Sequence, residues 1–163
     1  MPATNIDDVT RFQRAANSRL VVIDRPTTPG SPTRAEINAG DDITPILASV
    51  DGFTREPGYV DVPDWDDLET KQIRGRSPAA SGTVSTYADK GGPANDIRAI
   101  LDEGDLKSLL FMPGGDVAAD KMTIFDVEIS GVNETFDGDS AVLVNVGCAV
   151  GKRWPGVTIP ALT

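Results

Sequence analysis

The chain has 163 residues, no histidine and one cysteine, and its 25 acidic against 15 basic residues give a net charge of −10 at pH 7. This length is typical of one domain with a sizeable core, here residues 1–163. The absence of histidine excludes His-activated nucleophiles and His metal ligands, and a single cysteine excludes an intrachain disulfide. The acidity disfavours binding to nucleic acid phosphates. We therefore expect no enzyme, no cofactor and no metal site.

The N-terminal segment is not expected to be a signal peptide. Met1–Val9 has two aspartates and no apolar run, and no stretch approaches the ~20 apolar residues of a membrane span. We expect a protein made in the cytoplasm, with residues 1–18 as an N-terminal arm. Cys148 lies in an apolar run and is expected to be a small buried hydrophobic residue.

The first third of the chain predicts short strands and tight turns. Arg19–Asp24 is a β-branched strand that Pro26 ends. Ala35–Ile37 is a candidate short strand, and Ile43–Val50, which Pro45 interrupts, predicts an edge or broken strand.

A hairpin is expected next in the chain. Asp51-Gly52 is a strong short-range hairpin signal, so Phe53–Glu56 should begin a return strand.

An acidic, proline-containing excursion over residues 57–78 follows. Its apolar residues at either end predict two short strands, around Tyr59–Val62 and Ile73. A loop of this length inside a compact domain is usually functional or disordered. Trp65 is expected to anchor it against its own domain or a neighbour.

The charges of this excursion favour contact with a partner over metal binding. The run lacks the glycine of a calcium loop and is interrupted by Pro63 and Trp65. Three cations at its end are expected to meet carboxylates within the chain or on a neighbouring subunit. The residues predicted at such contacts are Asp61, Asp64, Trp65, Asp66, Asp67, Lys71, Arg74 and Arg76.

The middle of the chain predicts a strand and one helix. Gly82–Ala88 alternates polar and apolar residues as a half-buried strand does. Pro93–Glu103 is predicted as a helix with Ile97, Ile100 and Leu101 on one face, and Gly104 is placed to end it. Together with the strands on either side, this helix indicates a mainly β protein with one flanking α-helix.

The C-terminal third predicts the centre of the fold. Strands are expected over Leu106–Met112 and Met122–Ser130, and a turn at Phe136–Asp139 returns the chain into Ala141–Val150. That last strand is almost wholly apolar and should be covered on both faces, whereas residues 151–163 should form an irregular C-terminal arm. The fold class is an antiparallel β-sandwich or open barrel.

Several motifs occur together in an order that resembles a known family. The chain resembles the major tail tube proteins of long-tailed bacteriophages, particularly the actinobacterial phage type. The resemblance runs from about Arg34 to Thr163. The motifs that carry it are Arg34–Gly40, Asp42–Thr44, Ala48–Phe53, Asp61–Asp64, Thr70–Arg76, Tyr87–Asp89 and Phe111–Asp116.

The resemblance implies a structural virion protein located in the tail and assembled in the host cytoplasm. It implies hexameric rings whose inner sheets join into one barrel and stack into a tube that conducts DNA without specific binding. The long loop at 57–78 and the terminal arms would bridge neighbouring subunits and rings. The partners implied are further copies of the chain, the tape-measure protein and other tail proteins, and no membrane.

The lumen of such a tube is expected to carry carboxylates. Asp126 and Glu128 share one strand face, opposite Val127 and Ile129, and are predicted to face the channel together with Glu134. An equally open alternative is that this face meets ordinary solvent or the helix.

Two other functions stay open: a single-ring terminator or connector of the tail, and a carboxylate-dependent hydrolase.

Overall fold

The structure is a computed structural model that describes residues 17–54, 57–62, 71–76, 80–88, 96–135 and 141–161. Within these ranges, no helix has both the length and the apolar character needed to cross a membrane. The described strands are β1 Arg19–Asp24, β2 Asp41–Asp42, β3 Leu47–Asp51, β4 Tyr59–Val62, β5 Lys71–Arg74, β6 Ala80–Tyr87, β7 Leu106–Met112, β8 Lys121–Thr135 and β9 Leu143–Thr158. The described helices are α1 Arg34–Asn38, a 3-10 turn at Thr44–Ile46, and α2 Ile97–Ile100.

Seven of these strands form one curled antiparallel sheet. The order across it is β2-β1-β7-β8-β9-β6-β3, while β4 and β5 form a separate two-stranded ribbon. Every pairing in both sheets is antiparallel. The predicted fold class, mainly β and antiparallel with little helix, is confirmed.

The core has two parts because the β1–β7 half of the sheet is buried on both faces. In β1, Leu20 and Val22 join the main core inside the curl, while Val21 and Ile23 pack on the opposite face beneath Ile37 of α1. A strand with apolar residues at every position suits this double burial.

The β8–β9 hairpin is the longest element and forms the centre of the sheet. The two strands pair antiparallel from Lys121↔Thr158 to Thr135↔Leu143, which confirms the predicted pairing. The turn predicted at Phe136–Asp139 lies outside the described residues.

Two expectations for β9 were wrong. The strand continues to Thr158, where an irregular arm was expected, because residues 152–158 pair with β8. Its first half is covered on one face only: Val144, Val146 and Cys148 are buried, whereas the residues between them are not. Small and polar residues, such as Asn145, alternate with the apolar ones and leave the second face polar.

The short strand predicted at Ala35–Ile37 is a helix. The Thr33 hydroxyl accepts a hydrogen bond from the Glu36 amide, and the Glu36 carboxylate accepts from the Thr33 amide at 2.7 Å. This reciprocal capping box starts α1 at Arg34. Local capping therefore outweighs the β propensity of Ile37.

The hairpin predicted at Asp51-Gly52 does not form. Asp51 ends β3, whose partner is the distant β6, and Gly52 turns the chain with φ of +83°. Phe53 then enters the core, where its ring lies 5.4 Å from Phe111 and 5.2 Å from Phe125. Phe53 therefore packs against other aromatic rings of the core and does not begin the expected return strand.

The helix predicted over Pro93–Glu103 is one turn long in the described residues. Asp96 caps it by accepting from the Arg98 amide at 3.0 Å, and Leu101 is already extended. Ile97 and Leu101 are buried, as the predicted apolar face requires. Gly104, with φ of +89°, lies in the turn before β7 and does not end the helix.

Candidate functional site: a polar sheet face, two free edges and a ribbon

Four strands form the half of the sheet that is open on one side. We define the four-strand segment as residues 129–135 of β8, residues 143–150 of β9, β6 and β3. One face packs on the main core through alternate residues such as Val84, Val144 and Val146. The opposite face, called the polar face, has no layer of described residues packed over it.

Two rows of aligned side chains cross the polar face. Because residues directly opposite each other share a face, the register places them in line. One row is Ser49↔Ser85↔Asn145↔Asn133, and the next is Asp51↔Thr83↔Gly147↔Gly131. No local sequence pattern predicts these rows, because they are assembled from four separate strands.

Hydrogen bonds link the polar side chains of this face. Ser85 donates to Asn145 Oδ1 at 2.6 Å, and the Asn145 amide donates to Thr135 at 2.8 Å. Ser49 donates to the Asp51 carboxylate at 3.2 Å. The first two bonds join side chains on different strands, and the third joins two residues of β3.

The four-strand segment has two unlike free edges. β3 is the last strand of the sheet, so one of its sides has no strand beside it in the described residues. At the other end, β7 pairs with β8 only as far as Leu106↔Glu128, so among the residues that the structure describes, 131–135 have β9 as their one neighbouring strand. Unpaired edges of this kind are templates for pairing with another chain.

The ribbon of β4 and β5 is amphipathic and separate from the main sheet. Val60 pairs with Ile73, and together with Val62 they form a largely apolar face, on which they are 51%, 56% and 39% exposed. Lys71, which is opposite Val62, shares this face at its end. The other face carries Asp61, whose carboxylate accepts from Gln72 at 2.8 Å. An isolated two-stranded hairpin is at best marginally stable in water, so this apolar face needs a cover.

The ribbon also carries several of the charged residues predicted at subunit contacts. Asp61, Lys71 and Arg74 are exposed on it, and Arg76 is exposed just beyond it. The other predicted contact residues lie outside the described residues: Asp64, Trp65, Asp66 and Asp67. Among the described residues, no group of three carboxylate or thiol side chains could hold a metal ion.

Asp126 is tied to its own subunit. Its carboxylate accepts from Ser108 at 2.7 Å and from the Trp154 indole at 3.0 Å, and Lys152 lies 3.8 Å from the centre of the Trp154 ring. Glu128 follows on the same side of β8 and is exposed. Of the two, Glu128 has the freer carboxylate.

Glu134 lies on the opposite face from Asp126 and Glu128. The register shifts between Ile129 and Gly131, and such a bulge reverses which residues face the core. Glu134 is consequently opposite the buried Val144 and forms an ion pair with Arg98 of α2. We expected all three acids to lie on one face of β8. That expectation was wrong for Glu134, because the sequence does not reveal the bulge.

The chain matches a known protein family over most of its length. The family described as phage tail tube protein matches residues 6–161. This chain is a member of the phage tail tube protein family. No curated protein matches it in sequence.

Solved structures share the fold at low sequence identity. The SPP1 tail tube matches with a TM-score of 0.61 and 15% identity, over 91% of this chain and 81% of that one. The sheath/tube terminator of the PVC extracellular contractile injection system matches with a TM-score of 0.58 and 11% identity, over 90% and 97%. The tube-terminating cap of the anti-feeding prophage matches with a TM-score of 0.55 and 13% identity, over 94% and 97%.

Proposed function

We propose that this protein is the major tail tube subunit of a long-tailed phage and that it polymerises as stacked hexameric rings through which DNA leaves the virion. The observation that carries this proposal is the four-strand segment, which has an uncovered polar face and a free edge on each side. The protein would act structurally, without catalysis or cofactor, in a virion tail assembled in the host cytoplasm. Its partners would be further copies, the tape-measure protein and other tail proteins.

Strand direction favours ring closure through the two free edges. Three antiparallel steps separate β8 from β3, so these strands run in opposite directions. When copies are related by rotation, the β3 of one lies antiparallel beside residues 131–135 of the next. The contact joins unlike surfaces and is repeated at every interface, which is how a closed ring forms. Closure also removes both exposed edges.

Cross-linking between engineered cysteines tests this contact. Ser49→Cys on β3 is combined in turn with Gly131→Cys, Asn133→Cys or Thr135→Cys on β8. Adjacent strands bring opposite residues close enough for a disulfide, so one combination should give covalent hexamers and linear ladders under oxidation. The native Cys148 should not interfere, because burial raises the pKa of its thiol to about 11.

A matched variant shows whether the edges themselves meet. Thr83→Cys lies on the same face but on β6, which has β9 on one side and β3 on the other. It should give no intersubunit cross-link with any of the β8 cysteines. Equal cross-linking from residues 49 and 83 would contradict edge-to-edge closure.

The ribbon is proposed to join neighbouring rings. Its exposed apolar face gives it a reason to dock on another copy, and three of the predicted contact residues, Asp61, Lys71 and Arg74, lie on the same ribbon. Asp61, Lys71, Arg74 and Arg76 would act at the rim. Asp64, Trp65, Asp66 and Asp67, which lie outside the described residues, are proposed to contribute to the same contact.

The polar face is proposed to line the channel. Asp126 and Glu128 lie on that side of β8, and Glu128 would present the free carboxylate. Glu134 is not proposed for the lumen, because it pairs with Arg98 on the core side.

A tail terminator is the second candidate, favoured by the similarity to a sheath/tube terminator. Electron microscopy of concentrated protein separates the two. A tube subunit should give long tubes, whereas a terminator should stop at isolated rings. Monomers at all concentrations would contradict both and would leave the carboxylate-dependent hydrolase as the alternative.

A further inference from the structure

A groove follows the free side of β3 and separates this strand from β1. One wall comes from β3, and the facing wall comes from β1, β7 and the 3-10 turn. Its described lining includes no residue of β6, the strand that pairs with the other side of β3. The groove has a volume of about 420 Å³, within the range of about 300–1,000 Å³ that is typical of ligand clefts. It can therefore receive the side chains of another segment.

The groove is largely apolar and only partly covered. Its larger apolar lining residues are Leu20, Leu47, Val50 and Phe111. Leu20 belongs to the main core, and the other three are half-buried against that core. An apolar surface beside an unpaired strand edge favours non-specific association between free subunits. We therefore expect this groove to be covered in the free subunit.

Residues 1–16, which lie outside the described residues, directly precede the groove in the chain. Ser18 lines the groove, and its hydroxyl donates to the Pro113 carbonyl at 3.1 Å, so the segment is tethered at the groove wall. Phe12 is six residues before Ser18, and a chain of that length spans at most about 20 Å. The groove is therefore within reach of Phe12 from the same chain.

The same segment has side chains that suit an apolar groove. It carries Ile6, Val9 and Phe12, and its two aspartates are balanced by two arginines. A segment tethered beside its site has an effective concentration on the order of millimolar, whereas segments of other copies are present only at the protein concentration. The tether therefore favours occupancy of the groove by its own chain.

We propose that residues 1–16 of a free subunit dock in the groove of their own chain, with Phe12 as the anchor beside Phe111, and thereby cover the free side of β3. Phe12 is the one aromatic residue of the segment, and aromatic rings pack favourably on one another in offset or edge-to-face contacts. Because residues 47–50 of β3 all line the groove, an occupant lies along that edge.

Docking of the segment holds back ring closure. This part of the inference rests on the proposed function, in which residues 131–135 of the next copy pair with β3. The docked segment stands where that partner strand must come, so it has to leave before a ring can close. Free subunits are thereby protected from association through an exposed edge.

A disulfide within one chain tests the docking. Gln13→Cys is combined with Ala48→Cys, because Gln13 is next to the anchor and Ala48 is an exposed residue of the groove. Oxidation of the dilute subunit should link the two cysteines within most chains. The product should run as a monomer on a non-reducing gel, and mass spectrometry should identify the linked peptides. Disulfide-linked dimers as the main product would overturn docking within one chain.

Gln13→Cys with Val117→Cys is the matched control. Val117 is exposed and lies two residues beyond Gly115, which is against the Asn17 carbonyl, but it does not line the groove. A segment that moved without docking would link residue 13 to residues 48 and 117 alike. The yield with residue 48 should be clearly higher, and equal yields would overturn the proposal.

A third substitution tests the anchor. Phe12→Ser added to the first cysteine pair should lower the population of the docked segment at least about tenfold, because burial of a phenylalanine side chain is worth more than one decade of affinity. Thr10→Ser in the same background should leave the yield unchanged. An unchanged yield with Phe12→Ser would overturn the role of Phe12.

The linked subunit tests the effect on assembly. Subunits with the disulfide between residues 13 and 48 should form no tubes in light scattering and electron microscopy, and a reducing agent should start polymerisation. The single variant Gln13→Cys, treated with the same oxidant, should polymerise as the parent does. Linked subunits that polymerise as fast as reduced ones would overturn the covering of β3.

The two measurements separate this inference from the proposed function. The disulfide reports docking in dilute free subunits and needs no tubes. Parent protein that forms tubes, together with no disulfide within one chain, would overturn this inference alone. Parent and reduced subunits that form no tubes would contradict the proposed function, and the effect on ring closure would fall with it.

Discussion

At the residue scale, a few backbone positions carry conformations that side chains disfavour. Ala119 has φ of +69°, and its amide donates to the Ile159 carbonyl at 3.0 Å, which pins the C-terminal segment to the loop after β7. Gly156 has the same φ of +69° and open space around it. The left-handed region costs an L-residue about 1–2 kcal/mol, whereas glycine adopts it freely.

Opposite substitutions at these two positions should have opposite effects. Ala119→Gly should leave stability unchanged or raise it by up to about 1 kcal/mol, because relief of strain exceeds the entropy cost of glycine. Gly156→Ala should lower stability by about 1 kcal/mol, since nothing lies within 4 Å of the added methyl group and only strain acts. Urea unfolding of the subunit measures both changes. A loss of stability in Ala119→Gly would show that the Ala119 side chain stabilises the fold by more than its backbone strain costs.

The capping box of α1 should make the free energy of unfolding depend on pH in the acidic range. Hydrogen bonds from Thr27 and Thr33 lower the pKa of Glu36 from 4.5 to about 2. A lowered folded-state pKa adds stability that is complete above the unfolded value and is lost as pH falls from about 4.5 towards 2. Glu36→Gln should therefore flatten the decline in the free energy of unfolding over that window. An identical pH profile in parent and variant would contradict this role of Glu36.

At the element scale, the β8–β9 hairpin forms the centre of the sheet, so we expect its buried residues to be essential for folding. Val144 is fully buried in the main core, and Ala149 on the same strand points to the exposed face. Alternation along β9 thus offers two positions five residues apart with opposite surroundings.

Val144→Asp should unfold the protein, because an unpaired carboxylate in the core costs several kcal/mol. Ala149→Asp introduces the same group at an exposed position and should leave the subunit folded. Circular dichroism and urea titration distinguish the two outcomes. A cooperatively folded Val144→Asp subunit would refute the packing of β9.

The ribbon makes an independent prediction about assembly. Val60→Ser with Ile73→Ser removes two exposed apolar side chains, so the subunit should stay folded. Burial of each such side chain is worth roughly 1.5–3 kcal/mol, and each 1.4 kcal/mol is about tenfold in affinity. The critical concentration for tubes should therefore rise at least about tenfold in light scattering.

A control on the opposite face of the ribbon sharpens this test. Gln72→Ser leaves the apolar face intact and should polymerise nearly as the parent does. If the apolar double variant also polymerised normally, the ribbon would have no role between copies.

At the scale of the whole molecule, self-association must overcome a net charge of −10 on every copy. Like charges on approaching subunits repel, and salt screens this repulsion over a Debye length of about 10 Å at 0.1 M. Contacts between subunits through the apolar ribbon face and the backbone edges weaken little as the salt concentration rises. Tube formation should therefore accelerate as salt rises from about 20 to 300 mM. Slower assembly at higher salt would show instead that charge pairs between subunits dominate.

The sequence by itself determined the elements whose pattern is local. Leu106–Met112 is a strand with the predicted bounds, and β1 also matches its prediction, because short runs rich in apolar residues suit buried strands. The order of motifs also indicated the tail tube family without any coordinates. The antiparallel pairing of β8 with β9 followed from two apolar runs joined by a turn signal.

The other features of the fold depend on contacts between residues that are distant in the sequence, so only the tertiary structure decided them. Asp51-Gly52 has the chemistry of a hairpin turn, but the Phe53 ring gains more by packing on Phe111 and Phe125. The face of Glu134 depends on one bulge near Gly131, and a single extra residue in a strand reverses every side chain beyond it. The polar face likewise exists only once four separate strands are in register, which no local pattern encodes.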